Sequence, residues 1–165
     1  MSYYKEHIGK IENFPIKGIT YRDIQPLLAN HDVFMDAIKD MGNLLETKPD
    51  YWIALESRGF LFASALSMLF GGGVRLIRKK GKLGNNKLMR VDYGLEYGKD
   101  SFEMAYLPQF DLGKVVIVDD VYATGGTMSA AEGLVKAHGY ELIDKLCLMD
   151  IGIVKEHDVK CLVTY

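Results

Sequence analysis

The sequence has little cysteine, little proline and no excess of charge of one sign: 2 Cys and 4 Pro in 165 residues, and 20 basic against 22 acidic side chains for a net charge of −2. Cys147 and Cys161 are too far apart for a C-x-x-C motif and come with no histidine pair at ligand spacing, which argues against a disulfide framework and for two reduced core thiols. With 48% hydrophobic residues and 17 Gly, the composition is also neither disordered nor collagen-like. The balanced charge gives no support to a general nucleic-acid-binding protein. A long hydrophobic run is missing too: the longest apolar stretch, residues 59–73, is interrupted by Ser64 and Ser67 and is too short to cross a bilayer. The first residues, Met-Ser-Tyr-Tyr-Lys-Glu-His, contain no apolar signal region. These absences predict a soluble, cytoplasmic chain with neither nucleic acid nor membrane as a partner.

The length predicts one domain, large enough to fold on its own hydrophobic core. Ser2 is a candidate cap for a helix carrying Ile8 and Ile11 and ending near Asn13. Asp32 is a second candidate cap, followed by Phe34, Ile38, Met41 and Leu45 at helical spacing as far as about Glu46. Residues 51–55 read as a strand buried in a parallel sheet, 60–70 as a helix stopped by Gly71-Gly72-Gly73, and 74–77 as the next strand. Residues 78–99 are polar, basic and Gly-rich, so either a mobile functional loop or two loosely connected strands fits them. Further strands are expected at 102–107, 115–118, 142–149 and 161–165, with a helix over 127–137 closed by Gly139. Alternating strands and helices predict an α/β domain with a largely parallel central sheet flanked by helices.

The most informative stretch runs from Val115 to Thr127: Val-Val-Ile-Val-Asp-Asp-Val-Tyr-Ala-Thr-Gly-Gly-Thr. Ligands of open α/β sheets bind beyond the carboxyl ends of the strands. Two carboxylates at such an end, Asp119 and Asp120, are costly unless they meet hydroxyls, cations or solvent. The small residues that follow open a helix, and Gly125 and Gly126 let the backbone approach a ligand closely. Thr124 and Thr127 add hydroxyls, and the free N–H groups of the helix start complete a phosphate cradle. Taken alone, the glycines equally suit an ordinary turn and Asp119 a helix cap. Together the run suits a ligand with vicinal hydroxyls at one end and a monophosphate at the other, which describes a ribose 5-phosphate. Neither a Walker A loop nor a dinucleotide fingerprint is present.

This run resembles the phosphoribosyl-diphosphate-binding motif of type I phosphoribosyltransferases. Residues 14–24 (Phe-Pro-Ile-Lys-Gly-Ile-Thr-Tyr-Arg-Asp-Ile), 56–60 (Glu-Ser-Arg-Gly-Phe), 77–83 (Ile-Arg-Lys-Lys-Gly-Lys-Leu) and 95–98 (Leu-Glu-Tyr-Gly) narrow the resemblance to the adenine phosphoribosyltransferase family, from about residue 10 to 151. The resemblance implies a type I phosphoribosyltransferase fold over residues 1–165, with a small hood from about 1–30 and the C-terminal part and a flexible loop at about 78–99. It implies transfer of the 5-phosphoribosyl group from 5-phosphoribosyl 1-diphosphate to adenine, giving AMP and diphosphate, with Mg2+ held mainly by the substrate and by no residue directly, in a homodimer whose basic residues near Arg78 can reach the partner's site.

By the same similarity, Ala123, Thr124, Gly125, Gly126 and Thr127 hold the 5-phosphate and Asp119 and Asp120 the ribose hydroxyls. Ser57 and Arg58, in a loop where the family has a cis peptide before the serine, bind diphosphate together with Arg78, Lys79 and Lys82. Backbone groups near Thr20 and Arg22 read the adenine edge, Tyr21 stacks on the ring, and Ile151 covers the opposite face. Glu96 is implied as the general base for the purine proton, and Tyr97 packs in the closed loop.

Lys17, Tyr21, Gly84 and Tyr122 depart from the family's usual residues without removing a presumed catalytic group. Three other readings compete with this one: a phosphoribosyltransferase for another purine base, a non-catalytic sensor of phosphoribosyl diphosphate, and an RNA-binding protein, which the scarcity of aromatics in the basic segment disfavours. Between Val74 and Val91 the chain carries Arg75, Arg78, Lys79, Lys80, Lys82, Lys87 and Arg90 and no acidic residue. This local positive charge is expected to gather around a diphosphate.

Overall fold

A computed structural model of the chain describes residues 2–84, 87–95, 98–110 and 112–165. In chain order the elements are α1 (Ser2–Glu6), β1 (Gly9–Glu12), β2 (Thr20–Asp23), α2 (Gln25–Ala29), α3 (His31–Asn43), β3 (Tyr51–Leu55), α4 (Gly59–Phe70), β4 (Gly73–Lys79), β5 (Leu88–Leu95), β6 (Gly98–Ala105), β7 (Lys114–Tyr122), α5 (Gly126–Ala137), β8 (Glu141–Asp150) and β9 (Lys160–Thr164). A seven-stranded sheet has the order β5-β6-β4-β3-β7-β8-β9. From β4 through β9 the neighbours pair in parallel, and the antiparallel β5–β6 pair is joined to the edge of β4. Residues 78–99 therefore realise the two-strand alternative at β5 and at the start of β6.

Both faces of the central strands are covered, which explains their unbroken apolar runs. Along β7, Val116 and Val118 join the core cluster that includes residues of α3 and α4, while Val115 and Ile117 join the cluster that includes residues of α5. All four side chains are completely buried, each contributing roughly 1.5–3 kcal/mol of apolar burial. Trp52 in β3 is equally buried, and its indole N–H donates to the Gly71 carbonyl at 2.8 Å, tying the end of α4 to the sheet.

The amino-terminal expectation does not hold. The chain leaves α1 after Glu6, and β1 pairs antiparallel with β2, Gly9 facing Asp23 and Glu12 facing Thr20. Pairing with a distant strand overrides the local helical spacing: Ile8 is buried, but Ile11 is 44% exposed. The cap of α3 is Asn30, not Asp32; the Asn30 side chain accepts from the Val33 N–H at 3.2 Å, and Asp32 lies in the first turn. That helix ends at Asn43, short of Glu46. Among the described residues no helix is long and apolar enough to cross a membrane.

Candidate active site

Parallel pairing brings the carboxyl ends of β3 and β7 side by side, with Ala54 next to Val118. The chain leaves β3 as Glu56-Ser57-Arg58, with a cis peptide between Glu56 and Ser57 as the resemblance implied, and enters α4 at Gly59. A Cβ on Gly59 would stand 2.6 Å from the Val118 carbonyl oxygen and 3.2 Å from the Asp119 Cα. Only a residue without a side chain lets α4 start directly against β7, and this contact holds Arg58 beside Asp120.

A cavity of about 480 Å³ opens here, lined by Glu56, Ser57, Arg58, Lys79, Phe102, Asp119, Asp120, Val121 and Thr127. A smaller one of about 100 Å³ shares Asp119, Val121 and Thr127 with it and is completed by residues 122–125 and Met128. Of the predicted ribose and phosphate residues, Asp119, Asp120, Ala123, Thr124, Gly125 and Thr127 line two adjoining hollows, and Gly126 lines neither. Gly125 caps α5 in a left-handed conformation, φ 84°, in which a Cβ would meet the Tyr122 hydroxyl at 2.8 Å. Gly126 is the first residue of α5, where helical N–H groups lack intrahelical partners. Tyr122 packs on the His157 ring with centroids 4.4 Å apart, and His157 Nε2 lies 3.3 Å from an Asp150 carboxylate oxygen.

The charges in the larger cavity are unequal. Burial pushes the Asp119 carboxyl well above its ordinary range, and the neighbouring Asp120 charge adds to the rise. Burial raises Asp120 as well, against the opposing pull of Arg58, whose guanidinium nitrogen sits 2.9 Å from an Asp120 oxygen. The same guanidinium donates to the Tyr21 hydroxyl at 3.0 Å. One side chain therefore joins the segment predicted to read the base to the segment predicted to hold the ribose. Glu56 behaves differently: burial pushes it up, but the Lys79 backbone N–H at 2.8 Å and the Arg78 side chain outweigh that and leave its carboxyl lowered.

Arg78, Lys82, Thr20, Tyr21, Arg22 and Ile151 line neither hollow. Arg78 pairs with Glu56 and donates to the Lys82 carbonyl at 3.0 Å, so its charge is already balanced within the chain; the Lys82 position is exposed. Thr20, Tyr21 and Arg22 form β2, with the Arg22 guanidinium 3.7 Å from the centre of the Tyr165 ring. Ile151 donates its N–H to the Tyr122 carbonyl at 3.1 Å and packs against the core. Glu96 and Tyr97 lie outside the described residues. Sequence reasoning assigned no role to Glu56 or Phe102. Glu56 carried a usable signal, being an acid just past a strand's carboxyl end like Asp119, whereas Phe102 carried none beyond strand alternation.

The fold is that of a type I phosphoribosyltransferase. Residues 23–165 match the phosphoribosyl transferase domain family. The adenine phosphoribosyltransferase of Hydrogenovibrio crunogenus is 41% identical over 150 residues, 88% of this chain and 84% of its own length. That of Mycoplasma mobile is 40% identical over 151 residues, 89% of this chain and 85% of its own. Among solved structures, the adenine phosphoribosyltransferase of Thermoanaerobacter pseudethanolicus superposes with a TM-score of 0.90 at 34% identity over 99% of both chains. The Saccharomyces cerevisiae enzyme, solved with an imino-altritol bisphosphate and adenine, does so with 0.85 at 32% identity over 99% of this chain and 96% of its own. The chain belongs to the adenine phosphoribosyltransferase family.

Proposed function

We propose that the protein transfers the 5-phosphoribosyl group of 5-phosphoribosyl 1-diphosphate to adenine, releasing diphosphate and AMP in purine salvage. The observation that carries this reading is the pair of adjoining hollows, one floored by Asp119 and Asp120 and the other by the Gly125 helix start. Buried carboxylates favour the hydroxyls of a ribose, and a helix start favours its 5-phosphate. Ser57, Arg58 and Lys79, with Arg78 and Lys82 at the rim, take the diphosphate. Tyr21 stacks on adenine, the backbone of Thr20 and Arg22 reads its edge, and Ile151 closes the other face. Glu96 accepts the proton that adenine loses as the glycosidic bond forms, and Tyr97 packs over it.

Among the described residues no group of three His, Cys, Asp or Glu side chains could hold a metal ion. Asp119 and Asp120 line the hollow in which Mg2+, carried mainly by the oxygens of the substrate and by no residue directly, would offset the charge of the departing diphosphate. The protein works as a cytoplasmic homodimer. Its α4 presents Leu61, Met68 and Leu69 on the surface, Met68 at 89% exposure, an apolar stripe that a second copy would cover.

Purified protein supplied with phosphoribosyl diphosphate, Mg2+ and single purine bases should form AMP from adenine alone. Binding without turnover would instead make it a sensor, and turnover of hypoxanthine or guanine would reassign the base. Glu96→Gln should cut kcat about 100-fold with the fold intact, as loss of a general base does; unchanged turnover would remove Glu96 from the mechanism.

A further inference from the structure

At the end of the sheet remote from the active site, where β4, β7 and β8 begin, a second cavity of about 300 Å³ lies among Arg75, His138 and Tyr140, walled by Tyr106, Phe110 and Leu112. Arg75 is only 7% exposed, and among the described residues no carboxylate pairs with it. Its guanidinium donates to the Tyr140 hydroxyl and, at 2.8 Å, to the Ala105 carbonyl, and it lies 5.9 Å and 5.6 Å from the centres of the Tyr51 and Tyr140 rings. These contacts fix the orientation of the fork but supply no counter-anion among the described residues, and a buried charge of that kind is costly. His138 is 8% exposed, and its Nδ1 is held 3.0 Å from the Leu134 carbonyl. The outer wall is apolar and open, with Tyr106, Phe110 and Leu112 exposed at 47, 50 and 59%.

We propose that this cavity is a second ligand site, one that takes a small aromatic monocarboxylate. A carboxylate fits the planar fork of a single arginine, and one negative charge balances it. No lysine lines the cavity to meet the second charge of a phosphate monoester. A flat ring would pack between Tyr106 and Phe110 while its carboxylate reached Arg75. Arg75 and Tyr106 come from the basic segment and the strand beside it, so this site uses a cation that sequence proximity alone would place with the diphosphate.

Isothermal titration of the full chain with sodium benzoate tests the assignment, with benzyl alcohol and phenyl phosphate as comparison ligands. Benzoate should bind once per chain and saturate, and benzyl alcohol, lacking the charge, should bind about tenfold more weakly or worse. Arg75→Gln should weaken benzoate about tenfold or more, Phe110→Ala, at an exposed wall position, should weaken it a few-fold, and Asp120→Asn, in the other cavity, should leave it unchanged. Phe110→Ala keeps the test decisive if Arg75→Gln fails to fold. The proposal is overturned if benzoate does not saturate, if its affinity survives both Arg75→Gln and Phe110→Ala, or if Asp120→Asn abolishes it. Tighter binding of phenyl phosphate than of benzoate would overturn the carboxylate assignment.

Discussion

The floor of the active site and its basic rim are built on opposite principles. At the floor, Asp119 and Asp120 are contiguous in sequence, the first half-buried and the second buried, both are raised in pKa chiefly by desolvation, and Arg58 is the cation beside Asp120. At the rim, the cations between Arg75 and Arg90 are dispersed by strand geometry. Arg78 is balanced by Glu56, Arg90 by the fully buried Glu103, and Arg75 points into a different cavity. Lys79 is the member of that run that lines the larger hollow. A cluster of like charge in sequence is therefore not a cluster in space: Arg75 and Lys79 lie near opposite ends of β4, about 13 Å apart at the rise of a strand, and line different cavities. The floor keeps unfavourable charge for a ligand, whereas much of the rim has already spent its charge on structure.

The sharpest way to break this contrast is at the floor. Asp120→Ala removes both a ribose contact and the partner of Arg58, and should lower kcat/KM about 1,000-fold in a steady-state assay while urea unfolding still shows a cooperative transition. Loss of only a few-fold would show that Asp120 is structural. Next in size is Gly59→Val. With a Cβ forced to 2.6 Å from the Val118 carbonyl, α4 must move off β7, and stability should fall by about 3 kcal/mol in the same urea experiment.

The floor could be read from sequence because its parts follow one another along the chain. The β-branched strand, the two acids and the glycine-opened helix obey local rules, and the sheet then places them where those rules require. Residues joined only by tertiary pairing could not be read in this way. Ile8 and Ile11 are spaced like one face of a helix, yet the chain turns between them so that β1 can pair with β2. The pairing of Glu56 with Arg78 and of Glu103 with Arg90 is not legible in the sequence, because the first is formed from the end of β3 to its neighbour β4 and the second across β5 and β6. The link from Tyr21 through Arg58 to Asp120 spans three segments remote in sequence, and no periodicity announces it.

A smaller effect is expected in the phosphate loop. Gly125→Ala must adopt φ near 84° and bring its Cβ to 2.8 Å from the Tyr122 hydroxyl. Backbone strain of about 1 kcal/mol should raise KM for phosphoribosyl diphosphate roughly fivefold, with kcat less affected. In a Tyr122→Phe background the hydroxyl is gone, so the same glycine substitution should cost measurably less. Equal costs in both backgrounds would mean that backbone conformation alone sets the requirement for glycine.

The smallest effect separates floor from rim by sign. Asp119 is raised in the folded protein, chiefly by burial, so its contribution to stability is full below the unfolded value of 3.8 and is lost as pH rises through the folded value. Replacing it with Asn, which resembles the protonated form, should therefore increase stability at pH 7 and change it little in acid. Glu56 is lowered: burial raises it, but the Lys79 N–H and Arg78 prevail, so its contribution is present above 4.5 and is lost as pH falls through the folded value. Glu56→Gln should decrease stability at pH 7 and flatten the acid side of the profile. Urea midpoints measured from pH 3 to 8 should move in opposite directions for the two variants, each by about 0.5 M or less. Two shifts of the same sign would show that floor and rim carry their charge alike.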